Sequence, residues 1–279
     1  MGRAGWCHGN LASRARPRSC GWTSGRARQT GGGIPSLRKS DDHATMARLP
    51  RLDLAGQMHL VIQRGRDLRP VFVDDDDRRR YLAALLDSMR ECAVAIHAYA
   101  LMDDHVLLLA TPSAAASLSR FMQAVGRRYV KAFNHRHGRS GPLWEGRYRT
   151  TAVEAGVHLL NCIHLIEQAP VRAGLVPHAS DWPWSSALHH GGRKVDSIVT
   201  EHAAYWQLGN TPFEREARHA RESATLLPVN ETQRLLGSAE HGWPVGSEAF
   251  LQGLAQSTDR PVRPRARGRP RRKREGQSI

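Results

Sequence analysis

Apolar residues follow two different periods along residues 57–170. Residues 57–64, 94–102 and 105–111 have the alternating or continuous apolar character of strands. Only Asp103-Asp104 joins the last two runs, which predicts a hairpin. Residues 76–92 instead repeat apolar side chains at helical spacing behind four consecutive aspartates, residues 74–77. We interpret these carboxylates as stabilising a helix N-terminus rather than as a metal site.

A second helical stripe follows the hairpin, and its other flank is basic. The stripe consists of Leu118, Phe121, Met122, Val125, Tyr129 and Phe133. Residues 148–153 read as a further strand, and a third helical stripe around Ile163 ends at Pro170. The order strand, helix, strand, strand, helix, strand, helix predicts an α+β fold: a ferredoxin-like antiparallel sheet with its helices on one side and one added helix.

The ends of the chain differ in composition from the middle. Residues 1–45 combine Gly, Ser, Arg and Pro without apolar periodicity, so we expect a disordered leader before a start at Met46. A basic DNA-binding arm is the alternative interpretation of this leader. We predict a DNA-binding domain over residues 46–190, a small helical module over 191–260 with its helices in 228–256, and a disordered basic tail over 261–279.

Positive charge is concentrated in three places. The net charge is +15, of which the first 45 residues carry +6 and the last 17 carry +7. Within the middle, residues 127–149 hold seven Lys or Arg against the single acid Glu145. Such clustering favours a polyanionic partner, most simply nucleic acid, and a solvated basic face is the alternative.

Cysteine spacing and hydropathy bear on the compartment. The four cysteines show neither a Cys-x-x-Cys pair nor a disulfide framework, which fits a reducing cytosol. No apolar run approaches the length of a membrane span, and the first residues lack the apolar region of a signal peptide. We therefore expect a bacterial cytoplasmic protein, associated with the nucleoid and with no membrane partner.

Five segments in a fixed order resemble one protein family. They are GQMHLVIQRG at 56–65, GRRYVKAFN at 126–134, GPLWEGRY at 141–148, PVRAGLV at 170–176 and DWPWSS at 181–186. Their joint order resembles the REP-associated tyrosine transposases over roughly residues 46–190. The resemblance implies a ferredoxin-like fold of the HUH-endonuclease type and an enzyme that transposes DNA.

In that family, a His-hydrophobic-His strand binds Mg²⁺ or Mn²⁺ beside the scissile phosphate of single-stranded DNA. A tyrosine on the last helix attacks phosphorus and leaves a 5′-phosphotyrosine and a free 3′-hydroxyl. The cation neutralises the charge that develops on the phosphate and orients it for in-line attack. The covalent link retains the bond energy needed for rejoining.

Three positions depart from the family pattern. The paired histidines are His105 and Leu107, the nucleophile position holds Leu165, and the position of an asparagine near the metal holds Ala169. The resemblance then implies that no catalytic residue is intact, that His105 is the remaining ligand of a metal site, and that no cation binds tightly. As a single histidine, His105 also fits an ordinary core or groove residue.

Helical geometry gives an independent expectation for Leu165. A step of 100° per residue places Leu165 about 200° from Ile163, on a face shared with His158, Asn161 and Gln168. We therefore expect Leu165 to face away from the core among polar groups, where a nucleophile would belong.

An alternative is that other residues supply the metal ligands and the nucleophile. Asp103 and Asp104 flank His105, and Tyr129 lies on the neighbouring helix, so displaced ligands could serve a substitute nucleophile. Tyr129 nevertheless lies on the apolar stripe, which favours packing in the core.

DNA binding is the property that we expect to persist. The candidate phosphate contacts are Arg127, Arg128, Lys131, Arg147, Arg149 and Arg172, while Trp144 and Tyr148 are candidates for stacking on unpaired bases. In the tail, Arg267-Gly268-Arg269-Pro270 resembles an AT-hook, which enters the minor groove of A·T-rich duplexes. A generic polybasic tail is the alternative.

These observations lead to one leading hypothesis and two alternatives. The leading hypothesis is a transposase-like protein that binds single-stranded or hairpin DNA of repetitive extragenic palindromes and has lost cleavage. The first alternative is an active transposase with displaced ligands. The second is an RNA-binding regulator, since hairpin recognition by charge and stacking does not exclude RNA.

Overall fold

The computed structural model describes residues 51–264. The strands are β1 (Met58–Arg64), β2 (Val94–Leu101), β3 (His105–Pro112) and β4 (Arg149–Val153). The helices are α1 (Asp75–Cys92), α2 (Ser117–Arg136), α3 (Ala155–Glu167), α4 (Ala169–Arg172), α5 (Ala187–His190), α6 (Pro212–Ser223), α7 (Val229–His241) and α8 (Glu248–Ser257). Short 3-10 turns cover Arg66–Leu68, Ala179–Asp181 and Ala203–Leu208.

The four strands form one antiparallel sheet in the order β2-β3-β1-β4. Arg64 pairs with His105 across β1 and β3, and Leu101 pairs with Val106 across the β2-β3 hairpin. The register between β2 and β3 shifts between Ile96 and Ala98, so His97 lies at a bulge in β2. This strand order and the alternation with α1 and α2 confirm the predicted ferredoxin-like sheet.

Side chains alternate between the two faces of the sheet, and each face has its own core. Val61, Val106 and Leu108 pack under α1 and α2. Ile62 and Leu107 lie on the opposite face, in a cluster that also includes residues of α3 and α7. The expectation of helices on one side is therefore wrong, because the added helix α3 and the C-terminal helix α7 cover the second face.

The aspartates at residues 74–77 begin α1, as the sequence predicted. The Asp74 carboxylate accepts hydrogen bonds from the backbone N–H groups of Asp76 (3.0 Å) and Asp77 (3.1 Å). The side chain of Asp77 is fully buried and accepts from Val73 N–H and from His137 Nε2, each at 2.9 Å. Arg136 bonds both Asp74 and Asp77 at 2.7 Å. The end of α2 is thereby fixed to the start of α1.

Backbone groups from the C-terminal third cover both outer edges of the sheet. On β2, Leu101 N–H donates to Trp184 O, Ser186 N–H to Tyr99 O, and Thr200 N–H to Ile96 O, at 2.7–3.0 Å. On β4, Val245 N–H donates to Ala152 O at 2.9 Å. Exposed strand edges invite pairing with other chains, so this cover protects the sheet.

Most predicted elements are present, with small differences at their ends. Helix α3 stops at Glu167, and Pro170 lies in the first turn of α4, where a missing N–H is tolerated. Helix α6 was not predicted, because its sequence is polar and it buries only His219. The leader 1–45 and the motif Arg267-Gly268-Arg269-Pro270 lie outside the described residues. Among residues 51–264, no helix is long and apolar enough to cross a membrane.

Candidate functional site

His105 lies at the start of β3, on the face of the sheet that α3 covers. Its Nδ1 hydrogen bonds with Asp104 Oδ1 at 2.6 Å, and about a quarter of the side chain is exposed. Gly65 supports this turn by donating its N–H to Asp104 O at 2.7 Å. A Cβ at Gly65 would overlap the carbonyl oxygen of Arg69, so the close approach requires glycine.

Leu107 follows His105 on the same face and is buried against the core beneath α3. Leu165 belongs to the same apolar cluster and is completely buried. The expectation that Leu165 faces polar groups is wrong. Its helix lies between the sheet and the C-terminal segment, so His164, Leu165, Ile166 and Glu167 are all buried.

Ala169 lies just after α3 and packs against the edge of this cluster. The fold therefore brings the three departing positions, Leu107, Leu165 and Ala169, to one apolar region. Around His105, the residues present do not fit a divalent cation, because Leu107 and Ala169 offer no lone pair and Asp104 already bonds the imidazole. Among residues 51–264, His105 belongs to no group of three side chains close enough to share an ion.

Arg172, predicted as a phosphate contact, already has partners within the protein. Its guanidinium donates to the backbone carbonyl of Leu165 and approaches Gln168 Oε1 at 3.4 Å. Burial lowers the pKa of Arg172, as expected for a cation partly withdrawn from water. Arg172 thus satisfies one backbone carbonyl group near the end of α3.

The basic flank of α2 separates into paired and unpaired cations. Arg128 donates to Ser88 Oγ (2.8 Å) and Glu91 Oε2 (2.5 Å) on α1, so it joins two helices. Arg127 and Lys131 are exposed and make no hydrogen bond or ion pair with residues 51–264. Acids distant in the sequence therefore neutralise part of the cluster that appeared to face only Glu145.

Trp144 and Tyr148 are core residues rather than exposed stacking platforms, so this prediction is wrong. Both are less than one-tenth exposed and belong to the cluster under α1 and α2. The Tyr148 hydroxyl hydrogen bonds with Ser119 Oγ at 3.1 Å, and Arg51 lies over its ring at 3.9 Å. Sequence reasoning missed this because the residues that cover Tyr148 are distant along the chain.

A cleft of about 240 Å³ lies beside β4, between this strand and the end of α7. We call it the basic cleft; it is lined by Arg51, Arg147, Arg149, Arg260 and Glu240, among others. Glu240 pairs with Arg64 and with Arg149, the latter at 3.8 Å. Arg147 is exposed and has no hydrogen bond or ion pair within residues 51–264, so its charge is available to a ligand.

The cleft combines predicted and unpredicted cations. Arg147 and Arg149 were predicted as phosphate contacts and lie together in it. Arg51, Arg64 and Arg260 were missed, because each is far from residues 127–149 in the sequence and only the fold brings them near. An arginine-rich cleft with one acid suits a phosphate-containing ligand.

Comparison with known families agrees with this fold. Residues 55–168 match the family model described as "Transposase IS200 like". This segment is therefore similar to the IS200-like transposases. It begins just before β1 and ends just after α3, so it contains the whole sheet and the region around Leu107 and Leu165. The match agrees with the resemblance inferred from the sequence segments.

Two solved structures are similar to this transposase-like chain. One is a REP-associated tyrosine transposase bound to a REP hairpin, at 22% identity and TM-score 0.45, covering 57% of this chain and 96% of the other. The other is a transposase from Deinococcus radiodurans R1, at 24% identity and TM-score 0.30, covering 39% of this chain and 87% of the other. No curated protein matches the chain significantly.

The tyrosines of the chain are all buried. There are five, and each is less than one-tenth exposed: Tyr81, Tyr99, Tyr129, Tyr148 and Tyr205. Burial raises the pKa of every one of these phenols. The Tyr129 hydroxyl donates to the carbonyl of Val71, in the core under α1 and α2 and away from the face that carries His105.

Proposed function

We propose that this transposase-like protein binds single-stranded or hairpin DNA, of the kind formed by repetitive extragenic palindromes, without cleaving it. One observation carries the proposal. Leu107 and Leu165 are buried in the apolar cluster beneath α3, so neither of these two positions offers an imidazole or a phenol. A buried leucine offers no lone pair to a cation and no oxygen to attack phosphorus.

The burial of all five tyrosines also argues against a substitute nucleophile. A phenol that is withdrawn from solvent cannot reach a scissile phosphate, and a raised pKa makes its phenolate less accessible. Asp103 pairs with Arg78, and Asp104 is occupied by His105. An active enzyme with displaced ligands is therefore the weaker candidate.

Binding would rest on the unpaired cations of the described residues. Arg147 lies in the basic cleft, and Arg127 and Lys131 lie on the exposed flank of α2. Each phosphate contact releases condensed counterions, so it appears as salt dependence of the affinity. In this proposal the protein acts in the cytoplasm on the nucleoid, and the tail beyond residue 264 adds further cationic contacts.

Cleavage is tested with an end-labelled hairpin that carries a single-stranded flank, incubated with protein and Mg²⁺ or Mn²⁺. We expect retarded complexes on a native gel and unchanged DNA on a denaturing gel. A nicked strand or a covalent adduct that depends on the cation would overturn the loss of cleavage. If the same preparation fails to bind any DNA, the binding proposal is wrong as well.

Binding is tested by fluorescence anisotropy at several salt concentrations with two matched sets of variants. Arg127→Ala, Lys131→Ala and Arg147→Ala should each lower the slope of log affinity against log salt by about one. Arg128→Ala and Arg172→Ala remove cations that already have protein partners, and should leave the slope unchanged. Equal effects in both sets would contradict the assignment.

Two further arms address the nature of the ligand. Removing residues 263–279 should weaken binding and flatten its salt dependence, because up to eight Lys or Arg are lost. An RNA hairpin of the same sequence serves as competitor. A clear preference for RNA would favour an RNA-binding regulator and count against DNA as the ligand.

A further inference from the structure

A buried polar cluster joins the end of α3 to two helices, α5 and α6, that lie beyond the segment matched by the family model. Glu167 is 1% exposed. Its Oε1 accepts hydrogen bonds from Ser186 Oγ and His190 Nδ1, each at 2.6 Å, and its Oε2 accepts from His219 Nε2 at 3.0 Å. Glu167 lies on α3, His190 on α5 and His219 on α6. One carboxylate thus joins three helices.

The three side chains have the composition of a metal site. One carboxylate oxygen and one nitrogen from each imidazole all lie within 4.8 Å of one another. This is the only such group found among residues 51–264. Two histidines and a glutamate are a common ligand set for zinc. Zinc prefers four-coordinate sites and, as a cation of borderline softness, binds both imidazole nitrogen and carboxylate oxygen.

Hydrogen bonds among these residues leave buried nitrogens unsatisfied. His219 Nδ1 is buried without a partner. His164 lies against His219, with ring centroids 5.2 Å apart, and its Nε2 is also buried without a partner. His164 is only 6% exposed, so this nitrogen is withdrawn from water. Buried polar atoms of this kind are uncommon, so the present hydrogen bonds do not fully satisfy the cluster.

An ion could reach the cluster from solvent. A cleft of about 670 Å³ reaches Glu167 and His219, and its other walls include Gln168, His178 and Asp181. A metal site requires such an entry path as well as suitable ligands. The carboxylate and both imidazoles would need to separate slightly for an ion to lie among them, since they now touch directly.

We propose that Glu167, His190 and His219 bind a divalent metal ion of the zinc class, which fastens α5 and α6 to α3. Each imidazole then presents the lone pair of the nitrogen that now contacts Glu167 and carries its proton on the other nitrogen. The ion fastens the helices, because its ligands are buried and come from three of them, and water from the adjoining cleft is its fourth ligand. It is separate from the β3 position of His105, and it does not depend on DNA binding.

The test uses full-length protein without a polyhistidine tag, freed of metal with a chelator. Titration with Co²⁺ should give one equivalent of tight binding and the visible absorption of a four-coordinate ion. Zinc should displace Co²⁺ and raise the melting temperature by about 5–10 °C at a concentration 100-fold above Kd. His190→Gln and His219→Gln should each abolish the absorption.

The matched control is His178→Gln, since His178 is exposed in the same cleft but outside the triad. This variant should bind Co²⁺ as the wild type does. If wild-type protein shows neither the absorption nor a shift in melting temperature, the triad is only a hydrogen-bonded anchor and the proposal is wrong. Loss of binding in His178→Gln alone would also overturn it. The wild-type titration decides the question even if a triad variant does not fold.

Discussion

Replacing Leu165 by tyrosine tests directly whether the nucleophile position has become part of the core. The Leu165 side chain has no solvent exposure and belongs to the cluster between α3 and the sheet. A larger ring in a filled core costs about 1–3 kcal/mol through displaced neighbours. A phenol hydroxyl buried without a partner costs about 1–3 kcal/mol more. We therefore expect Leu165→Tyr to lower the free energy of unfolding by about 2–6 kcal/mol.

The assay is urea unfolding followed by circular dichroism, with Leu165→Met as the control of nearly conserved volume. Leu165→Met should cost less than about 1.5 kcal/mol. The difference between the variants should appear in the midpoint, with the dependence on urea unchanged. If the tyrosine variant is as stable as the methionine variant, residue 165 reaches solvent and the assignment to the core is refuted. A stable tyrosine there would also reopen the possibility of restored cleavage.

Two further predictions concern stability. Asp77→Ala should lower the free energy of unfolding in urea by about 2–4 kcal/mol, because Arg136, His137 and the Val73 N–H lose their buried acceptor. The control Asp76→Ala removes a more exposed side chain and should cost less than about 1 kcal/mol. Equal costs for the two variants would contradict this prediction. Burial lowers the pKa of His97 from 6.5 to about 4. The nearby His202 and His190 lower this pKa further, and the hydrogen bond to Thr200 opposes the shift. The unfolded chain binds more protons between these values, so this group should cost up to about 3 kcal/mol of stability as the pH falls from 6.5 to 4. His97→Gln should lose less stability than the wild type over that range, and parallel curves would contradict the assignment.

The sheet and its first three helices were predictable because their apolar spacing is strong and local. Residues 57–64 and 105–111 could be identified as strands, and their pairing follows from the ferredoxin-like order. The helices that cover the second face of the sheet, and their contacts, could not be predicted from local apolar spacing. Helix α6 has few apolar residues, and its single buried side chain, His219, contacts a glutamate 52 positions earlier in the chain.

The same limit explains the errors at the candidate site. The helical angle between Ile163 and Leu165 predicts an exposed Leu165 only if the helix has a single buried face. Helix α3 is buried on several sides. The count of charges along the sequence predicted that Arg128 and Arg172 contact phosphates. In the structure Arg128 pairs with Glu91, and Arg172 donates to the carbonyl of Leu165. The phosphate contact predicted for Arg147 stays a prediction, and the fold places this residue in a cleft with Arg51, Arg149 and Arg260.

The C-terminal cover of the sheet has a consequence for synthesis on the ribosome. All four strands are complete once residue 153 has emerged, but the cover of β4 comes from Val245 and that of β2 from residues 184–200. At about 5–20 residues per second, roughly 5–20 seconds separate the formation of β4 from the arrival of its cover. During that interval the nascent chain carries a four-stranded sheet with two open edges. Crowding of several ribosomes on one messenger would bring such edges together, so the rate of translation beyond residue 153 becomes a determinant of yield.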